Sequence, residues 1–187
     1  MMQMLEAGGL PVLTDHERKP DIDNPRGYCE WEPAKLLPKE PNRIDEAEGK
    51  AVKVISQLLL SLPRGRNYKL IFMERPLPEV LASQDEMLKR RGSAETLDHA
   101  VLTHAFRDHM REVVAWLEHR EEIPLCRMGY RKILKDPLGS AETVRDFLGI
   151  DLKVEAMARE VDRSLYRKRS NRSQSEAGFS GLPESMR

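Results

Sequence analysis

Two cysteines, no excess of either charge and no long apolar run set the first limits on this 187-residue chain. Cys29 and Cys126 stand far apart and form no Cys-x-x-Cys or Cys/His ligand spacing. That argues against structural zinc and fits reduced thiols in a reducing compartment. Lys and Arg together number 31, as do Asp and Glu, so the overall balance gives no argument for nucleic acid or an anionic membrane as partner. The longest apolar stretch, Gln57 to Leu62, is far too short to span a bilayer. The opening residues MMQMLEAGG lack the basic and apolar regions of a signal peptide. A cytoplasmic location is therefore expected.

Several catalytic signatures are absent too. There is no internal repeat, no G-x-S-x-G elbow, no Cys-His pair with a local signature and no G-x-G-x-x-G. His99, His104 and His109 recur every five residues. That spacing sets them about 140° apart around a helix, so they do not share a face as metal ligands. No metal is expected.

What is present reads as an α/β domain. Hydrophobic residues make up 40% and charged residues 33%, the balance of a globular chain with a wet surface. Met1 to Leu5 suggests an apolar helix face stopped by Gly8-Gly9, with no capping residue before it. Leu10 to Leu13 suggests an edge strand or extended segment. Thr14 to Glu48, rich in Pro, Asp, Asn, Arg and Glu, reads as a long surface excursion with a helical patch at Trp31 to Leu37.

Ala51 to Ser56 alternates and is β-branched, and Tyr68 to Met73 is nearly continuous in apolar residues; both predict strands. A helix with Val80, Leu81 and Met87-Leu88 follows, closed by Arg90-Arg91-Gly92. A longer helix is expected from Ala94 to about Glu121 behind a Ser93 cap, with the stripe Leu102, Phe106, Met110, Val113 and Leu117. Ile123 to Met128 is a third strand candidate. Helices are expected at Ser140 to Leu148, ended by Gly149, and from Leu152 to about Asp162. The polar residues 171–187 are expected to be disordered.

This alternation gives a parallel sheet with helices on both faces. Ligands in such sheets bind at the carboxyl ends of strands, here Ser56-Gln57, Glu74 to Pro78 and Tyr130-Arg131. At the second of these, a strand delivers Arg75 to its end and Ser83 follows eight residues later on a helix. A guanidinium fork with a nearby hydroxyl suits phosphate oxygens. Arg75 could equally pair with Glu74 or Glu79, and Ser83 could bond a backbone carbonyl of its own helix.

The run Arg75-Pro-Leu-Pro-Glu79-Val-Leu-Ala-Ser83 resembles the 3′-phosphate-binding segment of sulfotransferases, R-N-P-R-D-V-x-V-S. Asp23 to Pro33, Gly49 to Ser56, Tyr130 to Gly149 and Val161 to Arg169 extend the similarity to a bacterial branch of that family, over roughly residues 1–170. The resemblance implies a P-loop-NTPase-like three-layer fold and the co-substrate 3′-phosphoadenosine-5′-phosphosulfate, with Arg75 and Ser83 on its 3′-phosphate. It implies transfer of a sulfuryl group to a hydroxyl or amine of a small-molecule acceptor.

The chain departs from the family in two places. The loop of the type G-L-P-R-S-G-T-S, which wraps the 5′-phosphosulfate, and the strand before it have no counterpart. The expectation is either a start assigned too far downstream or a domain genuinely truncated ahead of that loop; the chain as written is expected to bind the donor poorly and to fold marginally. Where many members carry K-T-H, this chain has Lys53, then Ile55 in the histidine's place. Lys53 is the candidate to support the sulfuryl group. Glu30, with Glu32 beside it, is the candidate base, against the plain reading of solvated carboxylates. The basic run Arg163, Arg167, Lys168, Arg169 and Arg172 reads as a solvated tail or a cover for an anionic cofactor. Nucleic-acid binding would call for aromatics beside it, and only Tyr166 is there. Two alternatives remain open: a non-catalytic binding or interaction module (or gene fragment), and a P-loop kinase-like domain.

Overall fold

The computed structural model describes residues 1–21, 24–90 and 98–165. In chain order the elements are α1 (Met2–Gly8), β1 (Val12–Leu13), β2 (Ala51–Val52), α2 (Ser56–Leu59), β3 (Leu70–Glu74) and α3 (Leu77–Arg90). They continue with α4 (His99–Glu118), β4 (Leu125–Gly129), α5 (Tyr130–Lys135), α6 (Pro137–Leu148) and α7 (Val154–Arg159). Three 3-10 turns lie at Glu32–Leu36, Pro41–Ala47 and Arg163–Leu165. The class is α/β, with parallel strand pairing throughout the described residues.

Those strands pair two by two. Val12 and Leu13 stand opposite Ala51 and Val52, while β3 and β4 run in register from Leu70↔Leu125 to Glu74↔Gly129. Backbone packing groups the chain into two compact units: Met1–Lys69 with Lys135–Val161, and Leu70–Leu134 with the described residues from Asp162 on.

The first unit is held by helix packing. α1 buries Met4 and Leu5 and ends where Gly9 adopts φ 102°, a left-handed cap open to glycine without strain. Gly8 lies so close to α7 that a Cβ there would stand 2.7 Å from Met157 Cγ, and its carbonyl accepts from Lys153 N at 3.0 Å. Met157, Val144 and Ala141 are fully buried between α6 and α7. Asp136 caps α6 through Gly139 N at 3.0 Å, and Gly149 closes it at φ 65°.

The expected strand Ala51 to Ser56 is shorter here. It stops at Val52, and Ser56 already opens α2. The reason lies in its partner: beyond Leu13 the chain turns to Glu30, whose carbonyl accepts from Thr14 Oγ1 at 2.9 Å and Asp15 N at 3.2 Å. Lys53 and Val54 then have no strand alongside to extend the ladder.

The second unit is a β3–α3–α4–β4 stretch, with the crossover that parallel strands require. In β4, Cys126 and Met128 point inward while Leu125, Arg127 and Gly129 are half-buried, the period-two pattern of a strand with one covered face. α4 buries Met110, Val113, Val114 and Leu117, the lower half of the expected stripe. It begins later than the sequence suggests. Asp98 caps it, accepting from Ala100 N at 2.8 Å and Val101 N at 3.3 Å. The expected Ser93 cap lies outside the described residues, as do the Arg91-Gly92 stop and the tail 171–187.

Candidate functional site

The carboxyl ends of β3 and β4 gather charged side chains. Arg75 follows the last residue of β3 and precedes Pro76, whose ring keeps it out of the helical region. The chain then turns directly into α3, with Glu79 N and Val80 N donating to Pro76 O at 3.0 and 3.2 Å. Glu79, in the first turn, is carried inward: its side chain is 1% exposed.

Glu79 takes two arginines. Arg75 Nε donates to its Oε2 at 3.3 Å, and Arg131 donates to Oε1 through Nε at 2.9 Å and through Nη2. Arg131 stands in α5, directly after β4. The Arg75 guanidinium also lies 5.3 Å from the centre of the Tyr130 ring, within cation–π range. Glu74 takes a different partner, accepting from Arg127 Nε at 2.7 Å. Of the two pairings open to Arg75 in the sequence, the structure therefore holds the one with Glu79.

The buried Glu79 carboxylate is thus shared by guanidinium groups from the ends of two neighbouring strands. Arg75 remains 31% exposed and Arg131 37%. Among the described residues, Arg75's one hydrogen bond to the protein uses Nε. Ser83 is exposed on α3, one turn beyond Glu79, and no hydrogen bond joins it to Arg75 among the described residues.

The other two candidate residues meet in the first unit. Lys53 Nζ donates to Tyr28 O at 2.8 Å and to Glu30 Oε1 at 3.3 Å. Between those acceptors Cys29 adopts φ 47°, unusual for a residue with a side chain, so that a carbonyl and a carboxylate on either side of it serve one ammonium. Burial, and then the Glu6 charge, push the Cys29 thiol upward, so it is not an activated nucleophile. Arg18 joins the junction: Nη1 lies 3.3 Å from Glu30 Oε1, and its guanidinium stacks 3.3 Å from the Tyr28 ring centre.

Glu32 is engaged elsewhere, by Lys35 at 2.6 Å, while its N–H donates to Asp15. Backbone donors from Glu32 and Glu17 hold the Asp15 carboxyl below the usual carboxylate range. An ammonium beside a half-exposed carboxylate can donate to a developing anion, and the carboxylate can take up a proton. Among the described residues no cluster of three or more His, Cys, Asp or Glu side chains is set to hold a metal ion. No described helix is long and apolar enough to cross a membrane.

Sequence reasoning named Lys53, Glu30, Arg75 and Ser83 as site residues and pointed at Tyr130-Arg131 through the strand-end rule, but gave Arg131 no role and missed Arg18 and the inward turn of Glu79. Comparison of the chain with family models, curated proteins and solved structures returns no match.

Proposed function

We propose that the chain is a sulfotransferase-type domain of the three-layer parallel kind. It would transfer a sulfuryl group from 3′-phosphoadenosine-5′-phosphosulfate to a hydroxyl or amine of a small cytoplasmic acceptor. One observation carries the reading. Arg75 sits at the carboxyl end of a parallel strand, immediately before the helix that bears Ser83, with a half-exposed guanidinium. Two elements thereby present donors where ligands of parallel sheets bind. The family-like segment Arg75 to Ser83 coincides with that strand–helix junction.

In such a transfer the acceptor oxygen or nitrogen attacks sulfur as the sulfur–phosphate oxygen bond breaks. Adenosine 3′,5′-bisphosphate leaves with that bond's electron pair. The acceptor's proton goes to a base, for which Glu30 is the candidate. Lys53 would stabilise charge on the transferring group, and Arg75 with Ser83 would hold the 3′-phosphate; positioning and electrostatics supply the catalysis. The sequence contains no Gly-rich P-x-S-G-T-like loop for the 5′ side.

A second reading has its own support. Lys53 and Arg75 are each already tied to a carboxylate of the chain. A non-catalytic relative acting as a binding or interaction module would keep those pairs as structure. Calorimetry separates the two. The enzyme reading expects adenosine 3′,5′-bisphosphate to bind more tightly than adenosine 5′-monophosphate, with the preference reduced about tenfold in Arg75→Ala, the worth of one charge-assisted contact. Equal binding by wild type and variant removes Arg75 from any donor site.

A further inference from the structure

We infer that Arg18 and Lys53 form a binding pair for a sulfate-like oxyanion, mounted on Tyr28, and that their shared contacts to Glu30 are the ones the ligand displaces. The inference rests on the sulfotransferase-type reading only in naming that ligand as the transferring sulfuryl group; the pair itself comes from the geometry of the first unit.

Arg18 and Lys53 come from separate segments and meet at one atom. Arg18 Nη1 and Lys53 Nζ each lie 3.3 Å from Glu30 Oε1, while Oε2 takes no hydrogen bond among the described residues. Both contacts stand at the long end of the hydrogen-bond range, between side chains 38% and 35% exposed, so each is worth little and is readily exchanged. Glu32, the next carboxylate along, is engaged by Lys35.

Each cation also has a neutral hold, and both holds belong to one residue. The Tyr28 carbonyl accepts from Lys53 Nζ at 2.8 Å, and the Tyr28 ring centre lies 3.3 Å from the Arg18 guanidinium carbon. The ring is itself fixed, since the Tyr28 hydroxyl donates to Asp21 Oδ2 at 2.7 Å. Neither hold is lost when the contacts to Glu30 open. A guanidinium stacked on a ring keeps its N–H groups directed sideways, and Arg18 Nε and Nη2 make no hydrogen bond among the described residues. An ammonium on one carbonyl keeps two protons for other acceptors.

The backbone is bent to bring these groups together. Glu30 O closes the stretch by accepting from Thr14 Oγ1 at 2.9 Å and from Asp15 N at 3.2 Å. Just inside that neck, His16 and Cys29 adopt φ 57° and φ 47°, the left-handed region that side chains disfavour. Such conformations persist where the surroundings over-determine them, and they cluster at ligand sites.

A tetrahedral dianion offers the two cations several oxygens in exchange for one shared carboxylate oxygen, with a fork on one side and a point charge on the other. The ligand class is a sulfate or sulfuryl oxyanion. On the reading above it is the group transferred. Arg18 then joins Lys53 in stabilising its charge, and Glu30, released from both cations, is left to accept the acceptor's proton.

The test is lysine labelling of the full chain with acetic anhydride, read by mass spectrometry. The quantity is the rate at Lys53 divided by the rate at exposed Lys39 in the same sample. Sodium sulfate should slow Lys53 relative to Lys39, and sodium chloride at matched ionic strength should not. Arg18→Ala should raise the sulfate concentration for half protection about tenfold, the worth of one charge-assisted contact. Arg18→Lys should recover only part of that, because an ammonium restores charge without the fork. Tyr28→Leu should raise it by a smaller factor, with Tyr28→Phe between Tyr28→Leu and wild type. A variant that unfolds labels Lys53 as fast as Lys39 even without sulfate; Arg18→Gln, uncharged but with its stem retained, then replaces Arg18→Ala.

Sulfate that leaves Lys53 labelling unchanged in the wild-type chain overturns the inference, and so does equal half protection in wild type and Arg18→Ala. Tyr28→Leu indistinguishable from wild type overturns the role given to the ring. Protection by 3′-phosphoadenosine-5′-phosphosulfate at lower concentration than sulfate, weakened in Arg18→Ala, supports both the pair and the donor reading. Donor protection that Arg18→Ala leaves intact overturns the inference and leaves the donor reading standing. Arg18-dependent protection by sulfate, with the donor no better than sulfate, sustains the oxyanion pair and overturns the donor reading.

Discussion

Glu79 and Glu30 each receive two cationic side chains, yet one is sealed from water and the other is not. The Glu79 side chain is 1% exposed, against 26% for Glu30. The first carboxylate is carried inward by the opening turn of a 14-residue helix; the second sits on an excursion whose neighbours are turns. Removing two charges and their counter-charges from water is costly, and only close, well-directed partners offset it. A half-exposed junction carries little of that cost and gains correspondingly little. Burial thus separates a junction that fixes geometry from one that can open and exchange its proton or its partner.

The sharpest break of this contrast is Glu79→Ala. It would leave Arg75 and Arg131 without the buried anion they share. Because the arginines left behind keep access to water, the loss is about 1–3 kcal/mol rather than the larger cost of stranding a fully buried charge. Urea unfolding should show the midpoint falling by a corresponding amount. A loss below about 1 kcal/mol would mean that Glu79 is solvated and that the comparison has no basis.

Much of the second unit was legible in the sequence because its signals are local and strong. The apolar run ending at Met73, the Arg-Pro dipeptide and the α4 stripe all mark elements that form where expected. Boundaries were less legible, because they depend on partners. The β2 ladder ends at Val52 since β1 is only two residues long, and nothing within Ala51 to Ser56 announces that. α4 is capped by Asp98, a residue equally suited to the task as Ser93, so propensity alone gave no choice between them. The choice of Arg75 between Glu74 and Glu79 was likewise undecidable locally: Glu74 is taken by Arg127, which arrives from β4, 53 residues away in the chain. Of the candidate site, Lys53, Glu30, Arg75 and Ser83 could be named, while Arg18 and the inward turn of Glu79 could not. The meeting of Lys53 with Glu30 across 23 positions, and of Arg131 with Glu79 across 52, is tertiary information.

A smaller effect should come from acid. Asp15 secures the segment that leads to Glu30 by accepting from Glu17 N at 3.0 Å and from Glu32 N. Its carboxyl is depressed in the folded state, chiefly by those backbone donors. A depressed carboxylate contributes stability that is present above its unfolded-state range and lost as pH falls through its folded value. Asp15→Ala should therefore flatten the acid limb of the stability–pH profile while leaving its slope near neutrality unchanged. Thermal unfolding between pH 2 and about 7 reads this directly. An acid limb identical to wild type would show that the backbone bonds do not discriminate between charged and neutral Asp15.

The smallest effect belongs to Lys53 and Glu30. A double-mutant cycle with Lys53→Met and Glu30→Gln should give a coupling of less than about 1 kcal/mol, falling further in high salt, since both groups remain partly in water. Weak coupling is what the proposed transfer would ask of this pair: the ammonium would have to turn toward a sulfuryl oxygen and the carboxylate toward an acceptor proton, and a bond worth several kcal/mol would resist both. Each single variant should accordingly stay folded, so that loss of donor-dependent transfer in either one is read as chemistry and not as collapse. A coupling as large as that expected at Glu79 would place Lys53 and Glu30 in the framework of the unit and take both out of the proposed reaction.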